Sequence, residues 1–260
     1  MLLVLDVGNT HTVVGLYDNN RLVHDWRIHT EARLTDDELN LMVSRFFRQA
    51  GIDTSQVDQT IVSCVVPALS GAIASFCKKY LGHETDWINV NTVDMPILMN
   101  NPAEVGADRL VNAVAAYEKH HCSLIIIDLG TATTFDCISE NGEYLGGAIS
   151  PGIGISAEAL FTKAAKLPRV ELTDVPEKAI GKETIACMKS GLLYGYTDMI
   201  DGMVRRIKRE MGTNPKVIAT GGLSSIFHRL SETIETVDPG LTLEGLRILA
   251  MRIAAKRINS

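Results

Sequence analysis

Positive charge is in deficit. Lys and Arg total 25 against 31 Asp and Glu, giving a net charge of −6. A general nucleic-acid binder carries a basic footprint, so that class is disfavoured and no nucleic-acid partner is expected. No apolar run is long enough to span a bilayer, so no membrane partner is expected either. No charged n-region with an apolar h-region precedes the first strand-like run, which argues against a signal peptide. The five cysteines, at 64, 77, 122, 137 and 187, are an odd number without C-x-x-C spacing. They sit in apolar or helical contexts and read as reduced, buried, small hydrophobes of a cytoplasmic protein, which also disfavours a zinc site. The phosphate-loop pattern G-x-x-x-x-G-K-S/T is missing, and Gly152-x-Gly154 lacks the rest of a dinucleotide fingerprint. Aromatics are few, at 5%, but the 46% hydrophobic share is ample for packed cores.

What the chain does have is a beginning that occurs twice. Leu3-Val4-Leu5-Asp6 runs into Val7-Gly8-Asn9-Thr10-His11-Thr12, and Ile125-Ile126-Ile127-Asp128 runs into Leu129-Gly130-Thr131-Ala132-Thr133-Thr134. Asn19-Asn20 follows Asp6 at the distance at which Asn141-Gly142 follows Asp128, and such pairs mark tight hairpins. Each copy therefore reads as strand, glycine-bearing turn, strand, hairpin, strand. Two copies face to face would make a cleft with one Asp and one phosphate-sized turn on each wall. Gly8 and Gly130 let backbone N–H groups approach a phosphate. Asn9, Thr10 and Thr12, and Thr131, Thr133 and Thr134, add neutral donors. Asp6 and Asp128, at strand ends, suit a hydrated cation such as magnesium, which takes few carboxylates plus waters and phosphates. An ordinary strand-ending turn would account for one copy alone; the matched second copy argues against it.

Helical signals lie between and after the copies. Thr35-Asp36-Asp37-Glu38 is a capping box, followed by Leu39, Met42, Val43, Phe46 and Phe47 at helical spacing, with Gly51 as the stop. A strand is expected over 60–66, a helix to Tyr80, a short strand over 87–90 and a helix from Gly106 to about His120. The second half adds a helix opened by Pro151-Gly152, a loop over 168–181, a long helix over 183–211, a strand over 216–220 and a final helix from about Leu243. The duplication divides the chain into 1–117 and 118–260, joined by a short hinge near 117–123.

Three further motifs carry chemistry. In Gly106-Ala107-Asp108-Arg109 an acid and a base fall in the first turn of a helix. Asp108 is either a helix cap or a carboxylate poised as a general base, with Arg109 binding an anion. Phosphoryl transfer needs positioning, charge neutralisation and one acceptor for the hydroxyl proton. Gly221-Gly222, after a strand, lets a base or ribose lie against backbone or is simply a tight turn. Gly191 and Gly195, flanked by Leu192, Leu193, Tyr196, Met199 and Met203, suit close helix approach, within the chain or across a dimer. His11 lies inside the first turn and reads as a structural donor.

Together these motifs resemble the superfamily of acetate and sugar kinases, heat-shock chaperones and actin. Within it, Asp6-Val7-Gly8-Asn9-Thr10, Asn101-Pro102-x-x-Val105-Gly106-Ala107-Asp108-Arg109, Asp128 through Thr134 and Gly146-Gly147-Ala148-Ile149-x-Pro151-Gly152 resemble the type III pantothenate kinases, in order and over nearly the whole chain. The resemblance implies an α/β fold of two duplicated ribonuclease H-like (actin-like ATPase) domains, each a mixed five-stranded sheet with flanking helices, with the nucleotide cleft between them. It implies transfer of the γ-phosphoryl of ATP to pantothenate, opening coenzyme A synthesis, with magnesium and a monovalent cation, potassium or ammonium. Asp108 matches the general base. Asp6, Val7, Gly8, Asn9, Thr10, His11, Thr12 and Val13 match the ATP phosphate segment. Asp128 matches a monovalent-cation ligand, while Thr131 matches a nucleotide contact, as Gly221 and Gly222 would be. Gly106, Ala107, Asp108, Arg109 and Thr184 match substrate contacts. The family works as a homodimer. One departure stands out: Met99 occupies a position often held by Tyr, which removes a phenolic hydrogen bond. The rival readings are a non-catalytic nucleotide-binding regulatory relative and another small-molecule kinase of the same superfamily.

Overall fold

Five strands open the chain: β1 (Leu2–Val7), β2 (His11–Asp18), β3 (Arg21–His29), β4 (Gln59–Cys64) and β5 (Thr85–Trp87). In the computed structural model, which describes residues 1–258, they form one sheet in the order β3-β2-β1-β4-β5. β1, β2 and β3 run as an antiparallel meander, β4 lies parallel to β1, and β5 lies parallel to β4. Side chains alternate between faces along a strand. Leu3, Leu5 and Val7 therefore share one face and pack with Leu39, Val43 and Phe47 of α1 (Asp36–Ala50) and Ile73 and Phe76 of α2 (Ser70–Phe76). The Thr35–Glu38 capping box forms in both directions, and Gly51 ends α1 in the left-handed region at φ 72°.

The second sheet repeats the plan. β6 (Leu124–Leu129), β7 (Ala132–Ile138), β8 (Tyr144–Pro151), β9 (Lys216–Thr220) and β10 (Thr236–Val237) lie in the order β10-β9-β6-β7-β8. β6, β7 and β8 form the meander, β9 is parallel to β6, and β10 is parallel to β9. Ile125, Ile127, Leu129 and Phe135 pack with Leu193, Ile200 and Val204 of the long helix and with Phe227. The helices are α4 (Ile153–Lys163), α5 (Thr184–Met211) and α6 (Ser224–Leu230). The α/β class with two mixed five-stranded sheets is thus as the sequence indicated. The two-residue strand β10 carries too little pattern to stand out from its loop.

The division of the chain differs from the expected one. One compact unit is Met1–Lys119 together with the chain from Gly240 onward; the other is His120–Pro239. The chain therefore passes between units twice, at 119/120 and 239/240, and the expected second domain, 118–260, loses its last helix. That helix, α7 (Leu241–Ile258), packs on the first sheet beside α3 (Ala107–His120). A Cβ on Gly245 would lie 2.4 Å from the Val111 carbonyl oxygen of α3, so only glycine permits that approach. Thr242 Oγ1 donates to Asn112 Oδ1 at 2.7 Å, and Arg252 Nη2 to Glu118 Oε2 at 2.6 Å. Arg257 pairs through both terminal nitrogens with the buried Asp86 carboxylate of β5, which also accepts from Gln59 Nε2 at 2.9 Å. Helical periodicity announces α7, but nothing in it says which sheet the helix covers.

Candidate active site

In the first unit Asp6 is the penultimate residue of β1, in register with Val13 of β2 and Ser63 of β4. The turn that follows is closed by the Gly8 N–H donating to the His11 carbonyl at 3.1 Å. Asn9, Thr10 and His11 are exposed, Gly8 and Val13 half-buried and Val7 buried. Thr12 is expected to add a neutral donor to this turn. It is buried, and its hydroxyl lies 2.9 Å from the Thr30 hydroxyl. Thr30 Oγ1 in turn donates to the Gly8 carbonyl at 2.7 Å, which leaves Thr12 as the donor to Thr30. His11 stands opposite His29, ring centroids 5.0 Å apart. Desolvation first, then the Arg27 and His29 charges, lower the His11 pKa below the ordinary imidazole value.

Asp108 lies in the first turn of α3. Its Oδ1 accepts the Arg109 backbone N–H at 2.8 Å, so the carboxylate folds back over the helix start. A Cβ on Gly106 would lie 2.5 Å from that same oxygen and 3.8 Å from Val65 Cγ1. Val65 N–H donates to the Val7 carbonyl at 3.0 Å, which ties this corner to the C-terminal ends of β1 and β4, where Asp6 also sits. The unit thus gathers Asp6, the Gly8 turn and the Gly106–Arg109 stretch at the C-terminal ends of β1 and β4. Burial pushes the Asp108 carboxyl above the ordinary range; the Arg109 N–H and guanidinium oppose this without reversing it. A carboxylate raised in this way is a better proton acceptor. Met99 is half-buried in the loop before Asn101, whose Nδ2 donates to Glu104 Oε1 at 2.8 Å across the short turn Pro102–Glu104.

In the second unit Asp128 is the penultimate residue of β6, in register with Thr134 and Thr220. The following turn is one residue shorter: Leu129 pairs with Thr133, whereas Val7 pairs with Thr12. Gly130 N–H donates to the Ala132 carbonyl at 3.1 Å, and Gly152 N–H to the Thr131 carbonyl at 3.1 Å. A Cβ on Gly152 would come within 2.3 Å of the Thr131 oxygen, and one on Gly221 within 2.7 Å of both Asp128 Oδ1 and the Leu129 oxygen. Gly221 is further committed to glycine by its φ of 89°. The start of α4 and the Gly221-Gly222 turn therefore flank the Asp128 turn at backbone contact. Thr131 and Gly222 are exposed. Thr133 is buried, and the Tyr196 hydroxyl lies 2.6 Å from both Thr133 Oγ1 and the Pro151 carbonyl. Thr184, the first residue of α5, is exposed.

Thr30 escapes the sequence reading, and Tyr196 enters it only as an apolar flank of Gly191 and Gly195, because a lone Thr after a strand and the hydroxyl of a Tyr on an apolar helix face give no signal. Gly191 and Gly195 are exposed, with no atom within 4 Å of a built Cβ, but Leu192 and Leu193 belong to the unit's own core and Tyr196, Met199 and Met203 pack against it. The apolar flanks of that notch are thus spent internally. Of the cysteines, Cys77 and Cys137 are buried, Cys64 and Cys122 intermediate and Cys187 exposed, contrary to a uniformly buried set; none is in a disulfide among the described residues. Among the described residues no group of three or more His, Cys, Asp or Glu side chains could hold a metal. A dedicated all-protein cage is therefore missing there, whereas single strand-end carboxylates fit magnesium, which keeps waters and is shared with phosphates.

A family model described as type III pantothenate kinase matches residues 2–206. The chain belongs to the type III pantothenate kinases. A relative of that name from Desulfatibacillum aliphaticivorans is 58% identical over 255 residues, covering 98% of this chain and 99% of that protein. Among solved structures, the inorganic polyphosphate/ATP-glucomannokinase from Arthrobacter sp. strain KM superposes with a TM-score of 0.52 at 16% identity, over 98% of each chain. The ROK hexokinase from Thermus thermophilus gives 0.54 at 12% identity, over 98% of this chain and 99% of that one. The sugar kinases at those identities share the fold alone. The reaction of the type III pantothenate kinases is ATP-dependent phosphorylation of pantothenate. Membership therefore favours that activity over the regulatory and sugar-kinase alternatives.

Proposed function

We propose that this chain phosphorylates pantothenate with Asp108 as the general base. The observation that carries this is the half-buried carboxyl at the start of α3, its affinity for a proton raised by desolvation, held by the C-terminal end of β1, which delivers Asp6. As pantothenate's primary hydroxyl attacks the γ-phosphorus, Asp108 takes its proton. The bond from that phosphorus to the β-bridging oxygen breaks and ADP leaves. Arg109 and the neighbouring backbone at Gly106 and Ala107 orient the acceptor, with Thr184 as a further contact and Met99 as an apolar wall in place of a phenol.

The Asp6–Val13 segment binds the ATP phosphates through backbone N–H groups and the exposed Asn9, Thr10 and His11 side chains. Asp6 would hold magnesium, which would supply charge neutralisation at the ATP phosphates. Asp128 is the ligand of a monovalent cation, potassium or ammonium, while Thr131, Gly221 and Gly222 contact the nucleotide. The enzyme works in the cytoplasm as a homodimer. The open Gly191 and Gly195 positions on α5 support that assembly, as do exposed Ile149, Ile155, Phe161, Ile180 and Ile185, all in the second unit. Incubation with ATP, magnesium, potassium and pantothenate should give phosphopantothenate by mass spectrometry. Its absence at every salt composition refutes the proposal.

A further inference from the structure

Three bonds converge on Thr30, a residue just beyond β3 that no motif marks. Its backbone N–H donates to the Thr10 carbonyl at 3.0 Å. Its hydroxyl donates to the Gly8 carbonyl at 2.7 Å and lies 2.9 Å from the Thr12 hydroxyl. Thr30 is half-buried and Thr12 buried, so neither hydroxyl is simply a solvated group. Two carbonyls of the four-residue turn after β1 are thereby drawn to one side. A trans peptide carries its C=O and N–H on opposite sides. Anchoring the Gly8 and Thr10 carbonyls therefore turns the N–H groups of Asn9 and His11 away from Thr30.

We infer that Thr30 is a positioning residue for nucleotide phosphate: it sets the turn after Asp6 so that backbone donors face a polyphosphate without rearranging when one binds. The inference rests on the phosphate-binding reading of residues 6–13. Thr12 acts through Thr30, since its one proton is committed there. An anion site of oriented N–H groups depends on prior alignment, because each donor that must turn on binding weakens it.

Thr30→Val keeps the size, the branching and the backbone bond to Thr10, but strands the Gly8 carbonyl and the Thr12 hydroxyl. ADP should then bind about tenfold more weakly by calorimetry, the scale of one lost hydrogen bond and one stranded polar group. KM for ATP should rise in parallel, while KM for pantothenate stays within about twofold. Thr30→Ser should restore both nucleotide values. A purely structural role would move both substrates together or leave the Ser variant as impaired as the Val variant, and either outcome overturns the inference. So does an unchanged ADP affinity. If Thr30→Val does not fold, Thr12→Val serves: it removes the donor to Thr30, and an ADP affinity equal to that of the unaltered chain overturns the inference. Calorimetry needs no turnover. Weakened ADP binding in a chain that never phosphorylates pantothenate would refute the proposed reaction and keep Thr30; normal turnover with insensitive ADP binding would do the reverse.

Discussion

A Cβ on Gly106 would sit 2.5 Å from Oδ1 of Asp108, the oxygen that accepts the Arg109 N–H. The glycine two residues before the acid is what lets the carboxylate fold back over the first turn of α3. Gly106→Ala should therefore leave the fold intact yet push the carboxylate from its place. A displacement of about 1 Å at a reacting group costs on the order of 10²-fold, so kcat should fall by that scale with ADP affinity unchanged. Steady-state turnover and calorimetry on the variant check this.

The pH dependence follows from the raised Asp108 carboxyl. A general base works deprotonated, so the acidic limb of kcat/KM should lie above the ordinary carboxylate value of about 3.9. The sign for stability is the opposite of the usual acid. The folded state holds this proton more tightly than the unfolded one, so Asp108 costs stability as pH rises from the unfolded value through the folded one. Asp108→Asn, which retains an acceptor for Arg109 N–H, should melt higher than the unaltered chain at neutral pH. The gap should close at pH below the ordinary carboxylate value. Melting curves at the two pH values decide the matter.

Much of this corner was legible in the chain itself. The two Asp-x-Gly turns, the capping box at Thr35 and the strand 216–220 follow from β-branched runs, glycine and helix-start chemistry, which are local. What escaped was set by tertiary contact. Helix α7 belongs to the first unit because Gly245 meets Val111 and Arg257 meets Asp86, contacts across more than a hundred residues. Thr12 faces Thr30 rather than solvent because the pleat turns it inward. The second turn is one residue shorter than the first, although the two sequences echo each other. Strand register, not composition, decides such a difference.

Gly221 lies 2.7 Å, by its built Cβ, from Asp128 Oδ1 and holds φ at 89°. Gly221→Ala should thus disturb the carboxylate assigned to the monovalent cation. The unaltered chain should turn over faster in potassium or ammonium than in sodium. Asp128→Ala should lose that preference, and Gly221→Ala should blunt it. Equal rates in sodium and potassium for the unaltered chain would contradict the assignment of Asp128.

Gly191 and Gly195 are open positions on the exposed side of α5. In a two-fold dimer the same patch meets itself, so Gly191→Leu should wedge the protomers apart. Light scattering should report a dimer for the unaltered chain and a lower mass for the variant, with weaker pantothenate binding because Thr184 starts the same helix. A monomer for the unaltered chain refutes the assembly; a dimer indifferent to the substitution moves its interface elsewhere.

The most direct measurement is pantothenate-dependent ADP release by the unaltered chain and by Asp108→Asn, with ADP affinity measured on both. An amide cannot take the hydroxyl proton, so turnover should fall by about 10²–10⁴ while ADP binds equally well. Turnover in Asp108→Asn close to that of the unaltered chain would contradict Asp108 as the base and leave it a helix cap.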